Sequence, residues 1–192
     1  PRPIGLTLER VVGEAAQMEL DFEPGTAFQY SNAGYSALGR LVEVVSGRSL
    51  EEFMRDRLFG PLGMGDTAFR LPQDRGHRVA SAYQYVEGRR ERFLRYDPEA
   101  AARLTYIASE GGLYSTARDT AAFFQMFLNG GRFSGKRILA PETARLMTED
   151  HTPALSVGRG LGWILARGRG DVKSLSTSAF MHGGSSGTFG WG

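Results

Sequence analysis

The sequence predicts a mixed α/β fold: helices up to about residue 150, then a glycine-rich extended region that contributes strands to a sheet. Three observations lead there. Apolar residues recur at helical spacing behind recognisable capping residues in the first part of the chain. Short apolar runs bounded by glycine follow it. No internal repeat, low-complexity tract or linker interrupts the 192 residues, so a single domain, or a large piece of one, accounts for the length.

The first helix is expected over Leu8 to Glu19, capped by Thr7, with Leu8, Val11, Val12 and Ala15 as its apolar stripe. Pro24-Gly25 reads as a turn. A second helix is expected over Ala33 to Ser46, with the stripe Leu38, Leu41, Val42 and Val45 and with Gly47 as its left-handed end. Ser49 and Glu52 form a capping box for a third helix, which buries Leu50, Phe53, Met54 and Leu58 and stops at Gly60-Pro61. Residues 82–86 and 92–96 can pair as a hairpin around Gly88. Thr116 and Asp119 open a helix that runs through Leu128 to Asn129-Gly130-Gly131, and Pro141 starts one that ends near Glu149. Leu161 to Ala166 and Ser176 to Met181 read as strands. Gly190-Trp191-Gly192 looks like the start of another, left unpaired, so the sheet and the chain are expected to be incomplete at both ends. Residues 1–150 form the mainly helical region of this partial domain and residues 151–192 supply its strands.

Composition narrows the chemistry. With 41% apolar and 23% charged residues the chain can bury a sizeable core. Its 26 glycines follow no collagen-like period. Net charge is +2, and the longest basic cluster, Arg89-Arg90-Glu91-Arg92, is short and broken by an acid, so no nucleic-acid partner is expected. Cysteine is absent, which excludes disulfides, thiolate metal sites and a Cys nucleophile. It leaves the compartment open: cytoplasmic, periplasmic and secreted settings all fit. The apolar runs are too short to span a bilayer, so no membrane span is expected. Pro1 to Leu6 is neither a signal peptide nor a starting Met, and the true start is expected upstream.

Several literal motif matches fail on context. Gly183-Gly184-Ser185-Ser186-Gly187 fits G-x-S-x-G, yet no helical pattern and no His follow it, as a nucleophile elbow requires. His77, His151 and His182 are scattered, with no metal-ligand spacing. Gly158-Arg159-Gly160-Leu161-Gly162 lacks a P-loop Lys and a following helix, and reads as a flexible turn before a strand.

Two constellations remain. Tyr30 and Asn32 stand two apart on a turn that enters a helix. Extended, they would present a phenol and an amide together, the one able to move a proton and the other to fix a carbonyl or a cation. On composition alone the favoured reading is that Tyr30 packs its ring and Asn32 caps the helix beginning near Ala33. On the last strand, His182-Gly183-Gly184-Ser185 would let a substrate lie along the strand edge, with the Ser185 amide as oxyanion donor. The same residues also read as a Gly-rich bend carrying a surface His.

Together and in order, these segments resemble the serine β-lactamase and penicillin-binding-protein superfamily, above all its class C-like branch of esterases and D-Ala-D-Ala carboxypeptidases. Tyr30-Ser31-Asn32 is similar to the family's Y-x-N motif. Gly60 to Thr67 resembles its PLGM-x-DT segment, Gly111 to Asp119 its GGL-x-ST-x-x-D helix entry, and His182-Gly183-Gly184 its third motif. The resemblance covers nearly the whole chain and implies a helical region plus part of an antiparallel sheet. The first motif, S-x-x-K, is missing: Phe133 stands three positions before Lys136 and Gly170 before Lys173. In the family it precedes Y-x-N, so the nucleophile is expected upstream of residue 1.

The resemblance implies an acyl-enzyme mechanism on a small ester or related acyl substrate. A Ser outside this chain would attack the carbonyl, helped by its Lys neighbour. Tyr30 would pass the proton to the leaving group and then help activate water. Asn32 would orient the Lys and the acyl portion, and His182 would hydrogen-bond beside Tyr30. Gly183, Gly184 and Ser185 would line the substrate, with the Ser185 amide in the oxyanion hole. No metal or organic cofactor is implied. An imidazole is mostly neutral near pH 7 unless paired, whereas Lys holds a fixed charge suited to a β-lactam or peptide carboxylate. His182 therefore favours ester hydrolysis over carboxypeptidase or β-lactamase activity. A non-catalytic binding protein on the same scaffold is the contrasting expectation.

Overall fold

The computed structural model describes residues 6–92, 107–166, 175–184 and 189–192. The chain divides into two compact units. One comprises Pro1–Met18, Ser31–Arg55 and Asp66–Ser115, the other Glu19–Tyr30, Asp56–Gly65 and Thr116–Gly192.

In the first unit, α1 (Leu8–Ala15) begins where Thr7 accepts the Arg10 amide. It stops four residues earlier than expected, because Gln17 N–H bonds to Glu14 O and Met18 N–H to Ala15 O, closing the end as three-residue turns. Helix α2 (Asn32–Ser46) starts one residue early: Ser31, in extended conformation, caps it by accepting the Gly34 amide at 3.1 Å, so the cap is not Asn32. Gly47 ends it at φ 65°.

The expected stripe of α2 is wrong in its facing. Leu38, Leu41 and Val45 are 58%, 56% and 78% exposed, and only Val42 of the four is half-buried. The buried side carries Ser36 and Gly39. A Cβ on Gly39 would lie 2.7 Å from Ser109 Oγ and 3.1 Å from a Leu50 methyl, so the small residue admits both neighbours. Ser109 Oγ donates to Tyr35 O at 2.9 Å. Close backbone approach, not apolar content, selects the packed face.

Helix α3 (Leu50–Met54) has the expected capping box. The helical path does not stop at Gly60-Pro61. It widens into a π-turn (Arg55–Phe59) and runs on as α4 (Gly60–Leu62) to Gly63. The wider turn accommodates a proline that lacks an N–H, and Met64 N–H closes it on Phe59 O at 2.9 Å. Leu8, Leu50, Phe69, Ile107 and Ala108 form the core of this unit, with Val11, Val12, Val42 and Met54 against it. Paired Ala68–Tyr114 amide bonds, and a 2.8 Å bond between Thr67 and Ser115 hydroxyls, join the strand-like segment after α4 to the entry of the next helix.

The hairpin forms with a shorter reach. Strands β1 (Tyr83–Val86) and β2 (Arg89–Arg92) pair around Glu87-Gly88, both at positive φ as a two-residue primed turn requires. The second strand thus begins at Arg89 rather than Arg92, and residues 93–96 lie outside the described residues.

In the second unit, α5 (Ala117–Leu128) is capped by Thr116, which accepts the Asp119 amide. A two-residue hairpin, β3 (Arg132–Phe133) and β4 (Lys136–Arg137), leads to α6 (Pro141–Met147), which ends two residues short of Glu149. The sheet is antiparallel in the order β5-β6-β7: Ile164–Leu165, Phe180–Gly183 and Phe189–Trp191. Gly162, at φ 89°, bends the chain and trims the expected first strand to two residues. A turn at Ser176–Ala179, held by Ser178 N–H on Ser176 Oγ and Ala179 N–H on Ser176 O, moves the second strand four residues along. The last segment is paired, not dangling: Trp191, Gly190 and Phe189 face Met181, His182 and Gly183.

Phe123, Phe124, Phe127, Trp163 and Phe180 form the core of this unit, with ring centroids 5.0 to 6.1 Å apart. A Cβ on Gly190 would lie 2.5 Å from the Phe124 ring, so glycine is what lets β7 rest on α5.

Candidate functional site

The segment before α2 is set by a turn in which Thr26 donates both its amide, at 3.1 Å, and its hydroxyl, at 2.7 Å, to Glu23 O. The chain then runs without regular structure to the extended Ser31. Tyr30 is 55% exposed, so its ring is not a core residue. Asn32 is exposed as the first residue of α2, and since Ser31 takes the cap, its amide is not spent there. The reading in which Tyr30 packs its ring and Asn32 caps the helix is thereby corrected.

His182 is half-buried on β6, opposite Gly190 of β7. Strand alternation puts it on the face of Phe180, whose ring belongs to the aromatic core beside α5. Strand β6 is the middle of the sheet and not its edge. Yet β5 pairs only with Phe180 and Met181, so on that side the ladder stops before His182 and Gly183. Among the described residues nothing lies within 4 Å of where a Cβ on Gly183 would sit, and Gly184 is exposed. Ser185 lies outside the described residues. Tyr30, His182, Gly183 and Gly184 fall within one compact unit, and Asn32 falls within the other.

The remaining histidines do different things. His151 Nε2 lies 2.6 Å from Leu146 O, closing the end of α6, and His77 sits in a short 3₁₀ turn (Gln73–Arg78). Among the described residues no three His, Asp or Glu side chains come together as a metal site.

Sequence reasoning missed Arg159. Its guanidinium lies over the Phe28 ring, 4.7 Å from the centroid, two residues before Tyr30. The glycine-flanked turn that carries it is well built. Asp150 Oδ1 accepts the Thr152 amide and hydroxyl at 2.8 and 3.0 Å, Thr152 Oγ1 accepts the Arg159 amide at 3.1 Å, and His151 N–H donates to Arg159 O at 2.8 Å. The spacing G-x-G-x-G signalled only a turn, because the partner ring is remote in sequence.

The amide of Thr152 holds the Asp150 carboxyl below its ordinary range, with its hydroxyl, the Arg159 amide and the charge of His151 acting the same way. A depressed carboxylate stabilises the fold above its unfolded pKa and loses that contribution as pH falls through the folded one. Asp150→Asn is therefore expected to flatten the fall in melting temperature below about pH 4, measured by thermal denaturation across pH. An unchanged acid limb would show that this turn contributes nothing.

Comparison with known proteins sets this geometry in context. A family model described as Beta-lactamase matches residues 3–192. Protein Rv1367c of Mycobacterium tuberculosis is 32% identical over 200 residues, covering 98% of this chain and 49% of that protein. Penicillin-binding protein 4 of Amycolatopsis lactamdurans is 34% identical over 82% of this chain and 42% of its own length. Among solved structures, EstCE1, a hydrolase with promiscuous acyltransferase activity, superposes with a TM-score of 0.77 at 24% identity, covering 97% of this chain and 53% of that one. The chain thus spans about half the length of the relatives it matches.

Proposed function

Because the chain belongs to the beta-lactamase family, we propose that it is the part of a serine hydrolase that carries Tyr30, Asn32 and His182, acting through an acyl-enzyme on carboxylic esters or related acyl substrates. The nucleophilic Ser and its Lys partner come from sequence outside these 192 residues. That Ser attacks the acyl carbonyl, and its proton passes toward Tyr30, which delivers it to the departing oxygen. In the second half-reaction Tyr30 takes a proton from water as water attacks the acyl-enzyme carbonyl. Asn32 orients the Lys and the acyl portion. The substrate lies along His182, Gly183 and Gly184 as an added strand segment, with the Ser185 amide as an oxyanion donor.

The observation that carries this reading is the family match over residues 3–192 with Tyr30 exposed and Asn32 released from capping. The room left at Gly183 among the described residues and the ladder that stops short of His182 support it.

His182, where a fixed cation would suit a carboxylate-bearing β-lactam, favours esters. The 34% identical penicillin-binding protein, and the 26% identical relative of Escherichia coli named a putative D-alanyl-D-alanine carboxypeptidase, favour the second reading, a β-lactamase or D-Ala-D-Ala carboxypeptidase. Hydrolysis of p-nitrophenyl butyrate and of nitrocefin by the full-length protein decides between them. Ester turnover above nitrocefin turnover is expected. The reverse order supports the second reading, and no turnover of either, with no fluorophosphonate labelling, supports a non-catalytic binding protein.

A further inference from the structure

We propose that Arg159 is an anion subsite next to the Phe28–Tyr30 segment, and that the hydrolase's substrate carries a carboxylate on its acyl portion. The inference rests on the hydrolase reading above and adds the substrate class to it.

The argument starts from the state of the guanidinium. Among the described residues six arginines meet an acid: Arg10 meets Glu14, Arg40 meets Glu9 and Glu43, Arg70 meets Glu51, Arg75 and Arg78 meet Asp66, and Arg145 meets Glu149. Arg159 is half-buried, yet among the described residues it has no carboxylate partner, and its Nε is buried without a hydrogen bond. The nearest acid in sequence, Asp150, is engaged by the Thr152 amide and hydroxyl, and it meets the backbone amide of Arg159 rather than its side chain.

What holds the guanidinium is the Phe28 ring, an attraction that supplies no hydrogen bonds. A ring on the flat face does not use the in-plane N–H donors of the guanidinium, and since Nε is buried the two terminal nitrogens are the fork left to an acceptor. Carboxylate and phosphate both match such a fork, and the one an acyl substrate carries most simply is a carboxylate, taken through two parallel N–H···O bonds. The turn that presents the fork is pinned by the Thr152 and His151 bonds, so the charge is held before any ligand arrives.

The test uses the full-length protein and two esters of equal acyl length, p-nitrophenyl valerate and mono-p-nitrophenyl glutarate. In Arg159→Gln the ratio of kcat/KM for the glutarate ester to that for the valerate ester is expected to fall about 10- to 100-fold, through KM, since one charge-assisted bidentate pair is lost. Arg159→Lys should fall between the two, because it keeps the charge but not the fork. An unchanged ratio in both variants overturns the proposal. If neither ester is turned over by the unaltered protein, the hydrolase reading fails, and calorimetric titration with glutarate decides this one alone. Binding that weakens about tenfold in Arg159→Gln upholds the anion subsite, and equal binding, or none by the unaltered protein, refutes it.

Discussion

Tyr30→Phe in the full-length protein is expected to lower kcat for a p-nitrophenyl ester by about 10²- to 10⁴-fold, the range lost when a positioned proton-transfer group is removed. The substitution deletes one hydroxyl and keeps the ring. Tyr30 is 55% exposed, and the cap of α2 is made by Ser31 and Gly34. The melting temperature should therefore scarcely move, corresponding to about 0.5 kcal/mol or less. This separation of turnover from stability is what distinguishes a proton-transfer role from a packing role. Steady-state kinetics and a thermal melt on the same preparation suffice. Near-normal turnover would remove Tyr30 from the mechanism, whereas a large loss of both activity and stability would make it a structural residue.

Phe180→Ala should have the largest effect on stability, about 3–5 kcal/mol, measured by the shift in urea midpoint. Phe180 is 4% exposed and its ring lies 5.0 Å from Trp163 and 5.9 Å from both Phe124 and Phe127. Among the described residues its ring neighbours are the aromatic rings of Phe124, Phe127 and Trp163. Aromatic rings do not collapse into the void that its removal leaves, and Gly192 already sits against the Phe180 ring, where a Cβ would be 2.7 Å away. The consequence reaches the site, because Phe180 anchors the strand that carries His182 two residues on. Activity should fall together with stability here, in contrast to Tyr30→Phe. A cost below about 1 kcal/mol would mean that the ring contributes little to this core.

Features decided by neighbours in sequence were legible. Thr7, the Ser49–Glu52 box and Thr116 cap their helices as expected, since each bond spans only three residues and needs no other part of the chain. The turn at Gly88 was found for the same reason, although the strand after it was placed three residues late. The exposed face of α2 was read the wrong way round. A helix with apolar residues on both sides does not say which side meets a partner, and the answer depends on Ser109 and Leu50 reaching Gly39. The strands near Ile164 and Phe180 were misplaced because their lengths depend on where the paired strand ends.

At the site, the motif residues Tyr30, Asn32 and His182 could be named from the one-dimensional pattern, because their order and identity persist without reference to contacts. Arg159 could not, because a cation over an aromatic ring leaves no trace in spacing when the ring is at residue 28. The amino-acid sequence alone determined the family, the helix starts and the candidate proton-transfer groups, all of which are encoded in short-range order. Tertiary structure alone decided which helix face is buried, where the ladder stops before His182, and which charge faces the segment that bears Tyr30. Those depend on distances between residues far apart in the chain, which only packing sets.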